Sequence, residues 1–169
     1  MRFQAAVITI SDKGSRGERE DRSGPLVAQA LESMGAAVVA QLLLPDEPPQ
    51  ITAALQKLAD GGQVDLIITT GGTGAASRDR TPEATLAAID REMPGLAELL
   101  RWQGYQQTPR AVLSRGVAGL RGQCLIINLA GSTGAVRDGM AILEPVLAHA
   151  LQMAQGVNLE HGGHEHGHA

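Results

Sequence analysis

Four short apolar runs stand out from the polar positions that surround them. They lie at residues 5–11, 36–44, 64–70 and 124–129, and three of them are continuous and rich in isoleucine and valine. Runs of this kind are typical of strands covered on both faces, as in parallel sheets. The pattern therefore predicts at least four β-strands in a buried sheet.

Four segments between and after these runs have the spacing of helices. They lie at residues 24–35, 49–62, 81–93 and 135–156. Pro82 suits a first helical position behind a Thr81 cap, because its missing N–H costs nothing there. Pro145 lies inside the last segment, and we expect it to kink that helix or to divide it in two.

The alternation of strands and helices predicts an α/β fold. With right-handed crossovers, the expected result is a three-layer sandwich with a mostly parallel central sheet. A glycine-centred turn within residues 117–129 predicts one antiparallel hairpin at the edge of that sheet. Residues 1–157 are expected to form a single domain, since a chain of 169 residues fits one domain better than two.

Composition and charge narrow the classes of function. The net charge is −4 at pH 7, which disfavours nucleic acid or a membrane surface as a partner, because both select a basic face. The N-terminal segment becomes polar too early for a signal peptide, and no apolar run approaches about 18 residues. We therefore expect a cytoplasmic protein. The one cysteine, Cys124, lies in an apolar run and is predicted to be a buried thiol rather than a nucleophile.

A glycine-rich loop follows the third run. In open α/β sheets, ligands bind beyond the carboxyl ends of the strands, where the chain order switches. Gly71-Gly72-Thr73-Gly74 turns successive backbone N–H groups toward such a position and suits an anionic or planar ligand. It is neither a Walker A loop, since no Lys-Ser or Lys-Thr follows, nor a dinucleotide fingerprint, since the third glycine is missing. A tight turn that holds no ligand is the alternative.

Two aspartates also follow predicted strands. Asp46 and Asp79 are expected to converge at the switch point, where loop carboxylates suit a Mg²⁺ ion that bridges phosphate oxygens in phosphoryl or nucleotidyl transfer. Structural roles compete with this interpretation. Asp46 could cap the helix that begins near Pro48, and Asp79 could pair with Arg78 or Arg80.

The loops after the first and last strands are further candidates. Ser11, Asp12 and Asp21 lie in a long polar loop, and loops of that length in compact domains tend to be functional. Ser132 and Thr133 are expected to cap the final helix, since the surrounding Gly-Ser-Thr-Gly is not the nucleophile elbow of hydrolases.

Several of these segments together resemble one protein family. The segments are TISDKGSRGEREDRSGP at 9–25, TTGGTGAASRDRTPEAT at 69–85, REMPG at 91–95, LSR at 113–115 and NLAGS at 128–132. They are similar to the molybdopterin adenylyltransferase family of molybdenum-cofactor biosynthesis, which includes bacterial MogA and MoaB and the G domain of gephyrin. The resemblance extends from about residue 4 to residue 156. It departs at Ala130, where the family has a proline.

The resemblance implies a Mg²⁺-dependent transfer of the adenylyl group from ATP to the terminal phosphate of molybdopterin, with release of pyrophosphate. It implies that Asp46 and Asp79 are the essential acids, acting through Mg²⁺. The binding residues that it implies for nucleotide and pterin are Ser11, Asp12, Gly71, Gly72, Thr73, Gly74, Arg78, Thr81, Ser114, Arg115, Asn128, Gly131 and Ser132. It also implies a homotrimer and a downstream molybdenum-insertion protein as a partner.

Two other functions remain open at this point. One is a paralogue that binds molybdopterin without efficient transfer, and the other is a non-catalytic scaffold module of the same fold. Beyond the similar region, residues 158–169 are predicted to be a flexible tail. Its histidines could bind Zn²⁺, Ni²⁺ or Cu²⁺ weakly, or the tail could be a solvated terminus with incidental metal affinity. These histidines are His161, His164, His166 and His168.

Overall fold

The computed structural model describes residues 2–156, in which one six-stranded sheet organises the fold. The strands are β1 (Phe3–Ile10), β2 (Ala36–Leu44), β3 (Leu66–Thr70), β4 (Arg91–Glu92), β5 (Ala118–Arg121) and β6 (Cys124–Leu129). Their order across the sheet is β2-β1-β3-β6-β5-β4. The first four in this order are parallel, whereas β5 runs antiparallel to β6 and β4 antiparallel to β5. The mostly parallel sheet and the hairpin are confirmed, and β4 adds a short strand that the sequence did not reveal. The predicted His-rich tail lies outside the described residues.

The helices agree with the sequence pattern except in the middle of the chain. They are α1 (Asp12–Ser15), α2 (Ser23–Ser33), α3 (Pro48–Asp60), α4 (Thr81–Leu86), α5 (Pro94–Gln107) and α6 (Thr133–Ala154), with a 3₁₀ helix over Pro109–Leu113. The predicted helix over 81–93 is wrong beyond Leu86, because the chain turns there into β4. A new helix, which the sequence pattern did not predict, then begins at Pro94 and forms a wall of the candidate site. Within residues 2–156, no helix has the length and apolar character that crossing a membrane requires.

Side chains of the central strands alternate between two cores, one on each face of the sheet. One core joins the strands to α2 and α6, and its members include Ala5, Val7, Leu66, Ile68, Val27, Leu31, Met140 and Leu143. The other joins them to α3 and α4, with Ala6, Ile8, Ile67, Ile126, Ile51, Leu55 and Ala84. Every residue of β3 and β6 is buried. The three-layer arrangement is therefore confirmed.

Cys124 belongs to the second core. Its side chain is buried, and burial raises the pKa of the thiol to about 12. The thiolate is therefore scarce at neutral pH, and Cys124 packs as an apolar side chain. The sequence-based interpretation of this residue is confirmed.

The chain order switches between β1 and β3, which are neighbours in the sheet. The chain leaves β1 toward β2 on one side and leaves β3 toward β4, β5 and β6 on the other. Loops that diverge in this way leave a crevice at the carboxyl ends of the strands. The fold thus places the loops after β1 and β3 on either side of a ready binding position.

Pro145 does not divide α6, which runs unbroken from Thr133 to Ala154. A proline in a helix interior removes one hydrogen bond and crowds the preceding turn. Leu143 and Leu147, on either side of it, are buried against the sheet, whereas Pro145 is exposed. The burial of these leucines outweighs the local cost of the proline.

Replacing this proline should stabilise the protein. Pro145→Ala is expected to raise the free energy of unfolding by about 1 to 2 kcal/mol, because alanine restores a backbone donor and has the higher helix propensity, while the lost rigidity of the unfolded chain offsets part of the gain. Urea unfolding measures this change. Glu144→Ala, at the neighbouring exposed position, is the control and should change stability by less than about 0.5 kcal/mol. A less stable Pro145→Ala protein would contradict the interpretation.

Candidate functional site

Four loops meet at the carboxyl ends of the parallel strands. They follow β1, β2, β3 and β6 and cover residues 11–22, 45–47, 71–80 and 130–132. Two cavities open between them, each of about 680 Å³, and both are lined by Gly131 and Ser132. This volume falls in the range of small-molecule sites. The crevice therefore has room for two ligands side by side.

The two cavities differ in character. The first lies between the Gly71–Gly74 loop, α5, the 3₁₀ helix and the start of α6, and aliphatic side chains form much of its wall. These include Ala97, Leu100, Ala111 and Leu113. The second lies on the side of α2 and is mainly polar, with Thr9, Ser11, Arg19, Arg22, Ser23 and Thr133 among its lining residues. Glu20 and Asp21 also line the second cavity, so its two arginines are balanced by two acids. The first cavity suits a planar group and the second suits a polar one.

The glycines after β3 are required by the protein's own packing. Gly71 and Gly72 have φ of +102° and +63°, values that side-chain-bearing residues rarely adopt. A Cβ on Gly71 would overlap the carbonyl oxygen of Ile10. A Cβ on Gly74 would lie 2.7 Å from Oδ2 of Asp79. This loop thus passes close to the end of β1 and to one of the predicted acids.

Asp46 is bonded to Asp12 across the crevice. The backbone N–H of Asp12 donates to Oδ2 of Asp46 at 2.9 Å, and the backbone N–H of Asp46 donates to Oδ1 of Asp12 at 3.0 Å. Glu47, not Asp46, is the N-cap residue of α3. The alternative role of Asp46 as a helix cap is therefore wrong.

Arg78 joins three of the loops. Its Nε and Nη2 donate to the two carboxylate oxygens of Asp12, each at 3.0 Å, and Nη2 also donates to Oε1 of Glu47 at 2.8 Å. The guanidinium is thus directed at acidic side chains of the protein. Arg80 contacts Glu83, so neither arginine forms the ion pair with Asp79 that was the alternative for that residue.

The acidic groups of the crevice influence one another. Burial raises the pKa of Asp46, and the negative charges of Asp12 and Asp79 raise it further, while the N–H of Asp12 and the charge of Arg78 oppose the rise. The pKa of Asp12 is lowered, mainly by its bonds from Arg78. Perturbed carboxylates in a cleft are typical of functional sites, although structural networks also produce them.

Arg115 holds the loop that carries Asp79. Its Nε donates to the carbonyl of Gly74 at 2.8 Å, and its other guanidinium nitrogens donate to the carbonyl of Asp79 and to the carboxylate of Glu83. Its backbone N–H donates to the carbonyl of Thr73 at 2.9 Å. The segment before β5 is thereby tied to the second half of the glycine loop and to Asp79.

Two predicted binding residues are buried at the base of the crevice loops. Thr81 is fully buried, and its Oγ1 has no hydrogen-bond partner within the described residues. Asn128 is also buried, and its Nδ2 donates to Oγ1 of both Thr69 and Thr85 at 2.9 Å, while its Oδ1 accepts from the N–H of Val117. Thr81 thus supports the loops from behind, whereas Asn128 also lines the first cavity.

Three predicted serines bond to their own loops. Ser11 caps α1 by accepting from the N–H of Gly14 at 3.0 Å, and Ser132 caps α6 by accepting from the N–H of Ala135 at 3.2 Å. The predicted capping role of Ser132 is confirmed. Ser114 accepts from the N–H of Gly116 at 3.3 Å. These bonds fix the loop shapes around both cavities.

The comparison with known families agrees with this geometry. A family model described as a probable molybdopterin binding domain matches residues 6–149, a range that contains all four loops. The chain belongs to the molybdopterin-binding domain family.

Individual members of the family cover the chain at substantial identity. The crystal structure of MoaB, a molybdopterin biosynthesis enzyme from Thermus thermophilus, shares 49% identity and a TM-score of 0.87, covering 94% of this chain and 99% of that one. A molybdopterin adenylyltransferase from Pyrococcus furiosus is 38% identical over 90% of this chain and 92% of its own length. A molybdenum cofactor biosynthesis bifunctional protein from Synechococcus elongatus is 40% identical over 94% of this chain but only 49% of its own length. The chain thus spans about half the length of that curated relative.

Glu47 and Glu83 are site residues that the sequence analysis missed. Each accepts hydrogen bonds from an arginine of the crevice, Arg78 and Arg115 respectively. Both glutamates stand next to prolines, Glu47 in the loop after β2 and Glu83 in the first turn of α4. That position was the available signal, but the arginine partners are 31 and 32 residues away.

The packing around Gly72 generates a stability prediction. Gly72→Ala should unfold at a free energy about 1 to 3 kcal/mol lower than Gly122→Ala. Both glycines have positive φ, +63° and +55°, so backbone strain is common to both variants. A Cβ at Gly72 would overlap Oγ1 of Thr81 and lie 3.0 Å from Oδ1 of Asp46, whereas nothing lies within 4 Å of one at Gly122. Urea denaturation compares the two variants, and equal losses would refute the steric argument.

The raised pKa of Asp46 generates a second stability prediction. Because the folded-state pKa exceeds the ordinary value of 3.8, the ionised carboxylate opposes folding at neutral pH, and this penalty fades as pH falls toward that value. Asp46→Asn should therefore raise the melting temperature near neutral pH, on the order of a degree or two, with no gain below about pH 3.5.

Asp60→Asn is the matched control for this experiment. The pKa of Asp60 is lowered by its bonds from Arg121, so its ionised form favours folding at neutral pH. That variant should melt at or below the wild-type temperature. If the two variants shift in the same direction, the electrostatic account of Asp46 is wrong.

Proposed function

We propose that this chain transfers the adenylyl group of ATP to the terminal phosphate of molybdopterin. Relatives named molybdopterin adenylyltransferase, with identities of 36%, 38% and 40%, support the proposal. So does the crevice, whose two adjacent cavities offer separate room for a nucleotide and a pterin.

One observation carries the proposal: carboxylates from two separate loops lie against the same glycine loop. A Cβ on Gly72 would be 3.0 Å from Oδ1 of Asp46, and one on Gly74 would be 2.7 Å from Oδ2 of Asp79. Repulsion from Asp79 contributes to the raised pKa of Asp46. Acidic side chains that repel one another beside the glycine loop suit a site that binds a divalent cation together with phosphates.

The donor set fits Mg²⁺ that is bound with its substrate. Within residues 2–156, no group of three or more His, Cys, Asp or Glu could hold a metal ion by itself. Mg²⁺ is usually held by one or two carboxylates together with substrate phosphates and water. Asp46 and Asp79 would be its protein ligands, and the bound ion would neutralise charge on the phosphate oxygens.

The proposed reaction needs no covalent bond to the protein. A terminal phosphate oxygen of molybdopterin attacks the α-phosphorus of ATP, the bond from that phosphorus to the bridging oxygen breaks, and pyrophosphate leaves. The protein's contribution is to position the two phosphates in line. We assign the Gly71–Gly74 loop to the nucleotide, with the N–H groups that follow Gly71 directed at phosphate. The N–H of Gly71 itself donates to the carbonyl of Leu129 at 3.1 Å.

The walls of the crevice determine how a ring would be held. Within the described residues, neither of the two crevice cavities is lined by an aromatic side chain. A ring in the first cavity would pack on aliphatic side chains such as Leu100 and Leu113. Ser11, Gly131 and Ser132 line the second cavity and would contact the other substrate there. Asn128 lines the first cavity and would contact the substrate there, whereas Thr81, which is buried and lines neither cavity, would support the loops.

We further propose a homotrimer that passes its product to a molybdenum-insertion protein. Support comes from apolar side chains that are exposed on α5 and the 3₁₀ helix, namely Trp102, Tyr105, Val112 and Leu113. In a protein with few aromatic residues, a cluster of exposed apolar side chains of this kind is typical of an association surface.

Asp79→Asn tests the proposed reaction. Pyrophosphate release from ATP and molybdopterin in the presence of Mg²⁺ should fall by at least about 1,000-fold, while molybdopterin affinity stays within about tenfold, because the carboxylate acts on the phosphates and not on the ring. Asp60→Asn, at the far end of α3, is the control and should keep wild-type turnover. Near-normal turnover in Asp79→Asn would contradict the assigned role. Molybdopterin binding without pyrophosphate release by the wild type would instead support the non-catalytic alternative.

A further inference from the structure

Arg78 bonds to acidic side chains of two other crevice loops, and these contacts differ from those of a substrate ligand. It binds Asp12 through two nitrogens and Glu47 through one of them, at 2.8 to 3.0 Å. The two-pronged contact matches the planar geometry of a guanidinium and a carboxylate. The side chain thus joins the loops that follow β1, β2 and β3.

A chain of hydrogen bonds extends from Arg78 through Asp12 to Asp46. Oδ1 of Asp12 accepts from Nη2 of Arg78 and also from the backbone N–H of Asp46, both at 3.0 Å. In return, Oδ2 of Asp46 accepts from the backbone N–H of Asp12 at 2.9 Å. The position of the guanidinium therefore fixes the carboxylate of Asp12, which in turn holds the backbone of Asp46. The side chain of Asp46 is held by the backbone N–H of Asp12.

General stability does not account for this arrangement. The side chain of Arg78 is 55% exposed, and exposed ion pairs contribute little to folding. Arg16, on the loop after β1, is equally exposed and pairs with Glu18 only two residues away. Arg78 instead bonds to Glu47 and Asp12, which lie 31 and 66 residues away from it along the chain. Glu47 follows the predicted acid Asp46, and Asp12 is hydrogen-bonded to it.

We propose that Arg78 is a positioning residue for adenylyl transfer, which holds Asp46 in place through Asp12 and does not contact either substrate. The inference rests on the proposed function. It replaces the substrate contact that the family resemblance implies for Arg78. Its consequence is that loss of the guanidinium lowers the rate of transfer while the affinities for ATP and molybdopterin stay nearly unchanged.

The first test separates turnover from binding. Arg78→Met should lower kcat by about 100-fold, the effect of a misplacement near 1 Å, with both KM values within about threefold. Calorimetry without divalent cation should give molybdopterin affinity within the same factor. Arg78→Lys keeps the charge but cannot make the two-nitrogen contact with Asp12. Its kcat should lie between those of the wild type and Arg78→Met. Arg16→Met is the matched control and should leave kcat within about twofold.

A double-mutant cycle tests the route through Asp12. If Arg78 acts through this residue, Arg78→Met combined with Asp12→Asn should lose about as much kcat as the worse single variant. If the kcat losses of the two single variants multiply in the double variant, Arg78 does not act through Asp12. An unchanged kcat in Arg78→Met, or a rise in either KM above tenfold, would overturn the positioning role, the latter by showing a substrate contact. A wild-type chain that releases no pyrophosphate would overturn the proposed function itself and this inference with it.

Discussion

Burial of the central strands on both faces is the constraint that determines where chemistry can occur in this protein. All residues of β3 and β6 are buried, and both strands are paired with a neighbour on each side in the sheet. Helices cover both faces, so polar side chains have no access to solvent along the strands. Only the loops at the strand ends remain available. The divergence of the chain after β1 and β3 opens these loops into a crevice, which is why residues from four distant segments lie within hydrogen-bonding reach.

Convergence of these loops has an electrostatic cost. Acidic side chains from the loops after β1, β2 and β3 approach one another. Partial burial raises the pKa of Asp46, and repulsion from Asp12 and Asp79 adds to the rise. Arg78 and Arg115 offset the cost from opposite ends, one bonded to Asp12 and the other to Glu83 and the glycine-loop carbonyls. A preorganised site that opposes folding slightly is a known compromise between stability and activity.

Several features of the fold and site were predictable from the sequence because they depend on local pattern. The buried strands were visible as continuous apolar runs, and the strand-end rule placed Asp46 and Asp79 in the crevice loops without any knowledge of their partners. The boundary between α4 and α5 was not predictable in this way. The pattern of 81–93 continues through β4, and only its pairing with β5 takes that segment out of the helix. The roles of Arg78 and Thr81 depend likewise on tertiary contacts.

The departure from the family at Ala130 can be understood from the contacts of the loop after β6. The carbonyl of Ala130 accepts from Oγ1 of Thr70 at 3.1 Å. A Cβ on Gly131 would lie 3.0 Å from the Cα of Gly71, so the loop packs directly on the glycine loop. Proline has the same carbonyl as alanine, and the close approach depends on the glycine that follows. The loop is thus held by a side chain of β3 and by packing, both of which are independent of the residue type at position 130.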